Sequence, residues 1–303
     1  MRRIDVDVLS LPRVDPVHTA ASTWKDKGVN LALVDDAEPQ VLIRGRASDR
    51  NPIHLPSVPA HRKVNRVDMG TADKVCATAL AVRDCATRRG REIGDVSLIL
   101  LELGGAFTAG VAVERGQIVD GIGGSSGPLG INSAGALDAE VAYLAREVTK
   151  RMLFSGGAAA VARVDDGTLD WLAKPTTTAA KTAWYAFMEG LVKTVATLLV
   201  SAPSAHDIVI SGRIATFDRV RDELARRLSS VASHLSVHRL RGFARTAKQG
   251  AQGAALVANG LAGGREAELV QLLGIQRATG TALDHLSFIT PTAARARLGI
   301  SRA

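Results

Sequence analysis

Residues 96–103 read VSLILLEL, and no other segment constrains the chain as much. An apolar run of that length, without polar alternation, is the pattern of a strand buried on both faces. A chain that carries one must cover a sheet on each side, which points to an α/β class with helical layers. The residues that follow read as a hairpin. Gly104 and Gly105 open a turn, and Ala106 to Glu114 is a second strand. Arg115 and Gly116 turn the chain again, and Gln117 to Asp120 begins a third strand. That strand runs into GIGGSSGPLGINSAG, a glycine-rich loop from Gly121 to Gly135.

Helical periodicity supplies the covering layers. Ala72 to Arg89 puts Val75, Ala79, Val82 and Ala86 on one face and stops at Gly90. Leu137 to Lys150 is expected to be an amphipathic helix, and Thr178 to Leu199 a long one. Further helices are expected over Phe217 to Leu228, Ala247 to Leu261, Glu266 to Leu273 and Pro291 to Leu298. His206 to Ile210 and Leu235 to Arg239 read as strands. Val29 to Val34 and Pro39 to Ile43 read as short strands in an otherwise irregular first 60 residues. Leu153 to Lys174 reads as irregular.

Composition narrows the partners. Aromatic residues are only 4% of a chain that is 46% hydrophobic, so the core is built from Ala, Val and Leu. Lys and Arg total 38 against 30 Asp and Glu. The basic residues are scattered and not interleaved with aromatics, which favours a generic basic surface, or attraction for anionic small molecules such as phosphates, over nucleic acid or a membrane surface. The densest groups, Arg88, Arg89, Arg91 and Arg239, Arg241, Arg245, fall at expected helix ends or loops. Cys76 and Cys85 lie on opposite faces of one helix and cannot pair there, which suits a reducing compartment. The N-terminus, MRRIDVDVLSLPRVD, lacks the apolar run of a signal peptide, and no stretch of apolar residues is long enough to span a bilayer. The expectation is a soluble, cytoplasmic protein with no membrane partner.

Four segments could carry chemistry. In Glu102 to Thr108, ELGGAFT, glycines let backbone amides approach phosphate oxygens, and the acid can hold a metal-bound water. A plain Gly-Gly hairpin gives the same letters. In IVISGR, Ile208 to Arg213, a buried strand turns into a helix whose first amides form an anion or nucleotide site, or simply a turn. QGAQGAA, from Gln249, lets a helix pack closely on a ligand or on a sheet. In DMGTADK, Asp68 to Lys74, Thr71 is a plausible N-cap, and Asp68, Asp73 and Lys74 could face a cleft. There is no Walker lysine loop. His234 and His238 fall on a strand, too far apart to share one zinc ion. Gly123 to Gly127 matches G-x-S-x-G, but Pro128 and Gly130 prolong the loop where a nucleophile elbow needs a helix.

In their order these segments resemble the centre of acetate and butyrate kinases, over about Val64 to Leu144, with IVISGR and AKQGAQGAALVANGLAGG further on. The sequence is more similar still to a family labelled predicted butyrate kinase. The resemblance implies a two-lobed actin-like ATPase fold of the ribonuclease H-like type, with mixed sheets flanked by helices. It implies an N-terminal lobe over 1–92, a nucleotide-binding lobe over 93–264, and helices over 265–303 packing back on the first lobe. It implies ATP and Mg2+ as cofactors, a small-molecule acceptor such as a carboxylate, and compatibility with a homodimer. By position, Gly104, Gly105 and Thr108 would face the phosphates, and Ser211, Gly212, Arg213 and Gly253 the adenosine. Gly123 and Gly124 would belong to the same cofactor site. Glu102 and Asp120 would lie near the metal, and Asp68, Asp73 and Glu102 would serve catalysis.

The chain also departs from acetate kinases. Glu102 replaces the histidine that begins their phosphate hairpin. Their F-H-G-T-S-H stretch becomes Asp68 to Asp73, without either histidine, and Ser133 stands where their catalytic arginine aligns. That arginine neutralises the transferring phosphoryl group, a contribution of roughly several kcal/mol. Met1 to Arg13 has no counterpart of the first Asp-Gly-Thr hairpin of actin-like ATPases. Two functions remain open: an ATP-dependent phosphotransferase, and a nucleotide-binding regulatory protein that has lost the chemistry.

Overall fold

A computed structural model describes residues 6–8, 41–43, 51–149, 151–165 and 168–298. The strands are β1 (Val6–Val8), β2 (Val41–Ile43), β3 (Leu98–Leu103), β4 (Thr108–Glu114), β5 (Gln117–Ile122), β6 (Asp207–Ser211) and β7 (Ser236–Arg239). The helices are α1 (Ala60–Lys63), α2 (Ala72–Arg89), α3 (Ala139–Ala145), α4 (Ala158–Ala162), α5 (Asp170–Ala173), α6 (Thr178–Leu199), α7 (Asp218–Leu228), α8 (Gln249–Leu261), α9 (Ala267–Leu272) and α10 (Pro291–Arg297).

The central sheet has five strands in the order β5-β4-β3-β6-β7. The β3-β4-β5 meander is antiparallel, while β6 and β7 join it in parallel. Because successive residues of a strand point to opposite faces, β3 divides its apolar side chains between two cores. Ile99, Leu101 and Leu103 pack with Ala112, Ile208 and Ile210 beneath α6 and α7. Leu98 and Leu100 pack with Val111, Val113 and Val209 beneath α2, α8 and α9. A Cβ on Gly110 would sit 2.7 Å from Leu198 Cδ1, so α6 rides directly on β4.

The helix ends follow from local chemistry. Gly90 caps α2 in the left-handed region (φ 59°), and its N–H donates to Ala86 O. The Thr177 hydroxyl accepts from Ala180 N at the start of α6. Two of the arginine-rich clusters are partly neutralised: Arg88 meets Asp84 at 2.8 Å, Arg89 meets Asp207 at 2.7 Å, and Arg239 meets Asp218 at 3.1 Å. Cys76 and Cys85 are buried free thiols, and burial pushes both up to about 12.

Several expectations change. The helix expected over Leu137 to Lys150 contracts to α3, which buries none of its residues and ends at Arg146 with φ 61°. Without a packed face, a short helix has little to prolong it. The segment from Leu153 to Lys174 is more helical than expected, holding α4 and α5. The boundary at residue 92 cuts through one packed layer, because α2 lies on the same sheet face as α8 and α9. Residues after α9 return to the segment before α2: Thr279 N donates to His54 O at 3.0 Å, and Asn65 N to His285 O at 2.9 Å. Val29 to Val34 lies outside the described residues, as does most of Met1 to Arg13. Val41–Ile43 is a strand, paired antiparallel with Val6–Val8. No helix among the described residues is long and apolar enough to cross a membrane.

Candidate functional site

Adjacent parallel strands send their following turns out of the same edge of a sheet, and ligands of α/β proteins bind at that edge. β3 and β6 are such a pair, with Glu102 in register with Ser211. The turn after β3 is the hairpin 104–107, closed by a hydrogen bond from Gly104 N to Phe107 O at 3.0 Å. Gly105 is exposed at its tip, where a Cβ would meet nothing within 4 Å. The turn after β6 is Gly212-Arg213. Gly212 has φ +87°, and a Cβ there would lie 2.5 Å from Leu103 O and 3.0 Å from Glu102 Oε1, so only glycine fits. Its N–H donates to Gln249 Oε1 at 3.2 Å, and Gln249 Nε2 donates to Leu240 O at 2.7 Å. The first residue of α8 thereby ties the turn to the end of β7. Arg213 is exposed beside it.

The Glu102 carboxylate lies between the two turns and is held from α2. Lys74 Nζ stands 3.0 Å from Glu102 Oε2 and 2.6 Å from Asp73 Oδ2. Asp73 also accepts from the Thr71 hydroxyl. Burial disfavours the Lys74 ammonium, but Glu102 and Asp73 outweigh it and raise its pKa. Burial likewise opposes the Asp73 carboxylate, and Lys74 and Thr71 outweigh it, so its pKa is lowered. The Ser211 hydroxyl is buried on the same sheet face as Glu102 and has no hydrogen-bond partner. Asp73 and Glu102 are therefore brought together, with Lys74 between them.

The other expected site residues lie elsewhere. Asp68 is occupied by the glycine-rich loop: its carboxylate accepts from Gly70 N at 3.1 Å, Ser125 N at 2.9 Å and the Ser125 hydroxyl at 2.7 Å. The space a side chain on Gly123 would need holds that carboxylate, and the space above Gly124 holds the Phe107 ring. On the side where a side chain would point, protein atoms rather than a cofactor fill the space at both glycines, which argues against their expected role. Thr108 is also corrected. It pairs with Leu103, on the face covered by α6, and is buried away from the tip of the hairpin.

Glu102 and Asp120 cannot share a metal ion. Glu102 pairs with Ala109 and Asp120 with Ala112, positions of opposite parity, so the two acids point to opposite faces of the sheet. Asp120 is a structural acid whose carboxylate accepts from Gly121 N at 2.8 Å and from the Ser201 hydroxyl at 2.7 Å. No group of three metal-ligating side chains occurs among the described residues. Gly253 is corrected too: the place of its missing side chain is filled by the Cys76 carbonyl, so this face of α8 packs on α2 and leaves no room for adenosine. Ser133 is buried, and its N–H donates to Ala106 O at 3.2 Å, so the loop that could have carried an arginine is folded under the hairpin.

The sequence marks Lys74 only as a residue that could face a cleft and gives Gln249 no role of its own. Lys74 follows Asp73 directly in the first turn of α2, and only the packing of α2 on β3 shows that it meets Glu102. Gln249 stands out in sequence only as the first residue of a small-residue helix.

A family model described as "Protein of unknown function (DUF1464)" matches residues 51–288. No curated protein matches the sequence. Among solved structures, a propionate kinase from Francisella tularensis subsp. tularensis SCHU S4 superposes with a TM-score of 0.50 at 16% identity. The match covers 61% of this chain and 54% of that one. An acetate kinase from Porphyromonas gingivalis gives 0.48 at 12% identity, over 59% and 53% of the two chains. An acetate kinase from Entamoeba histolytica gives 0.46 at 15% identity, over 54% and 46%. The chain spans about half the length of these structures. The fold is that of the actin-like ATPases, in the form found in the propionate kinase.

Proposed function

The chain belongs to the DUF1464 family, whose function is unknown, and from that premise we propose that it is an ATP-dependent phosphotransferase acting on a small acceptor such as a short-chain carboxylate. One observation carries the reading. The 104–107 hairpin and the Gly212 turn open side by side around the Lys74–Glu102 pair. Exposed Gly105 and Arg213 can approach phosphate oxygens, and the partnerless Ser211 hydroxyl supplies a further polar group. These residues fit a polyphosphate. A magnesium ion carried by phosphates keeps most of its waters and needs only one or two carboxylates, so Glu102 and Asp73 suffice without a protein cage. Bound there, the ion would offset the charge of the phosphates. The reading carries with it a cytoplasmic location, closure of two lobes on the nucleotide, and a small molecule rather than nucleic acid as acceptor.

A second reading is a nucleotide-binding regulator without chemistry. It is favoured by Ser133, buried where the resemblance expects the arginine, and by Asp68, fully engaged with the loop. Calorimetry with ATP and Mg2+, paired with ATP turnover against a panel of short-chain acids on the same sample, separates the two. Acid-dependent turnover supports the phosphotransferase. Binding without turnover selects the regulator, and absence of binding refutes both.

A further inference from the structure

Lys74 is the cation held between the two turns of this site. We propose that Lys74 is the phosphate-binding residue of the cleft, held at rest by Asp73 and Glu102 and turning its ammonium to the terminal phosphates when a nucleoside triphosphate enters. This rests on the nucleotide reading above and deepens it.

Position comes first. Lys74 projects from the first turn of α2 against the end of β3, with its side chain 17% exposed. Its partner Glu102 lies beside both turns: the Cβ position of Gly104 is 3.6 Å from Oε2, and that of Gly212 is 3.0 Å from Oε1. An ammonium bonded to that carboxylate therefore lies close to both turns, and lysine's four-carbon stem lets it rotate toward a phosphate seated between them. Other cations nearby, Arg213 and Lys248, are exposed.

Valence comes next. An ammonium has three donors. Asp73 and Glu102 engage two of them, which leaves one to recruit a phosphate oxygen. Two carboxylates against one ammonium keep the lysine charged and leave the cluster with one excess negative charge. That excess disfavours a bare polyphosphate and suits a nucleotide that arrives with its magnesium ion.

The third observation is independent of the ion pairs. Ser211 is 1% exposed, its hydroxyl has no partner, and it lies in register with Glu102 on the same sheet face. Buried hydroxyls are ordinarily satisfied, so a polar group from outside the chain is expected at this point, beside the lysine.

The test uses the full chain and calorimetric affinities for ATP and AMP, with and without Mg2+. Lys74→Met keeps the stem and removes the charge. ATP affinity should fall about tenfold to a hundredfold, the worth of charge-assisted hydrogen bonds, while AMP affinity stays within about twofold. Equal loss for both nucleotides, or no loss for ATP, overturns the proposal and leaves the nucleotide reading standing. Failure of the unaltered protein to bind either nucleotide ends both. Glu102→Gln covers the case in which Lys74→Met does not fold. It frees the ammonium and removes the excess charge, so Mg2+-free ATP should bind several-fold more tightly. Unchanged or weaker binding of Mg2+-free ATP by Glu102→Gln overturns the proposal.

Discussion

Replacing Gly253 with alanine adds one methyl group where α8 crosses α2, and the sign of its effect decides what that glycine is for. The new Cβ would overlap the Cys76 carbonyl and lie 3.2 Å from Ala77 N. Helix propensity alone favours alanine by about 1 kcal/mol. Against that, the methyl meets backbone, which cannot rotate aside, so α8 must lift from α2. The lift loosens an interface that buries Leu256 and Val257 with Val75 and Ala79. Overpacking of a filled interior costs about 1–3 kcal/mol, and a methyl driven between two helix backbones belongs at the upper end. The net loss is about 2 kcal/mol, or roughly 4–8 °C in Tm for a domain of this size. Gly250→Ala is the matched comparison, three residues earlier on the same helix. Its Cβ would find Asp73 O at 3.5 Å and Asp73 Cβ at 3.7 Å, ordinary contacts. There the propensity gain survives, and Tm should rise by about 2–4 °C. Scanning calorimetry of both variants without ligand gives the answer. If Gly253→Ala is as stable as the parent, the close crossing of α2 and α8 is wrong, and Gly253 returns as a candidate for ligand contact.

Three further outcomes are expected. Asp120→Ala removes two hydrogen bonds to a buried carboxylate and should cost about 1–3 kcal/mol in urea unfolding, yet leave ATP affinity unchanged because Asp120 faces away from Glu102; a tenfold loss of affinity would contradict the assignment of faces. Hydrogen bonding to Arg226 first, and then to Arg227, holds Glu223 down at about 2 from an ordinary 4.5. A carboxylate whose pKa is depressed by folding adds stability above its unfolded pKa and loses it as pH falls toward the folded one. Stability should therefore decline between about pH 4.5 and 2, less steeply in Glu223→Gln, and identical pH slopes would count against the pairing. Finally, Cys76 and Cys85, pushed up to about 12 and buried, should resist a thiol reagent at pH 8 in the native protein and both react once it is unfolded; rapid labelling without denaturant would show that the packing around α2 is open.

What sequence made legible was local. The run ending at Leu103, the two glycine turns and the limits of α6 depend on neighbours within a few residues, and they stand close to where periodicity puts them. Parity was harder. Glu102 and Asp120 both end apolar strand segments and look equivalent in a string of letters. Which face each takes depends on the register across two successive hairpins. Partner choice was harder still. The small residues of α8 announced a close approach without saying whether to a ligand or to α2. The amphipathic pattern of 137–150 predicted a buried face, yet Val141, Tyr143 and Leu144 are exposed. That Lys74 meets Glu102 became visible only when α2 was laid on β3.

The pairing of Glu102 with Ser211 has a consequence for folding. The two turns of the cleft come from distant stretches of chain, with β4, β5 and the whole of α6 lying in sequence between β3 and β6. Such long-range closure is slow and comes late, whereas the β3-β4-β5 meander can form from neighbouring residues alone. The cleft therefore has no existence in a partly assembled molecule. A nucleotide that binds there would recognise only finished copies, and it would draw the population toward them in proportion to its concentration. For a newly made chain, occupancy of the cleft would thus double as a certificate that assembly is complete.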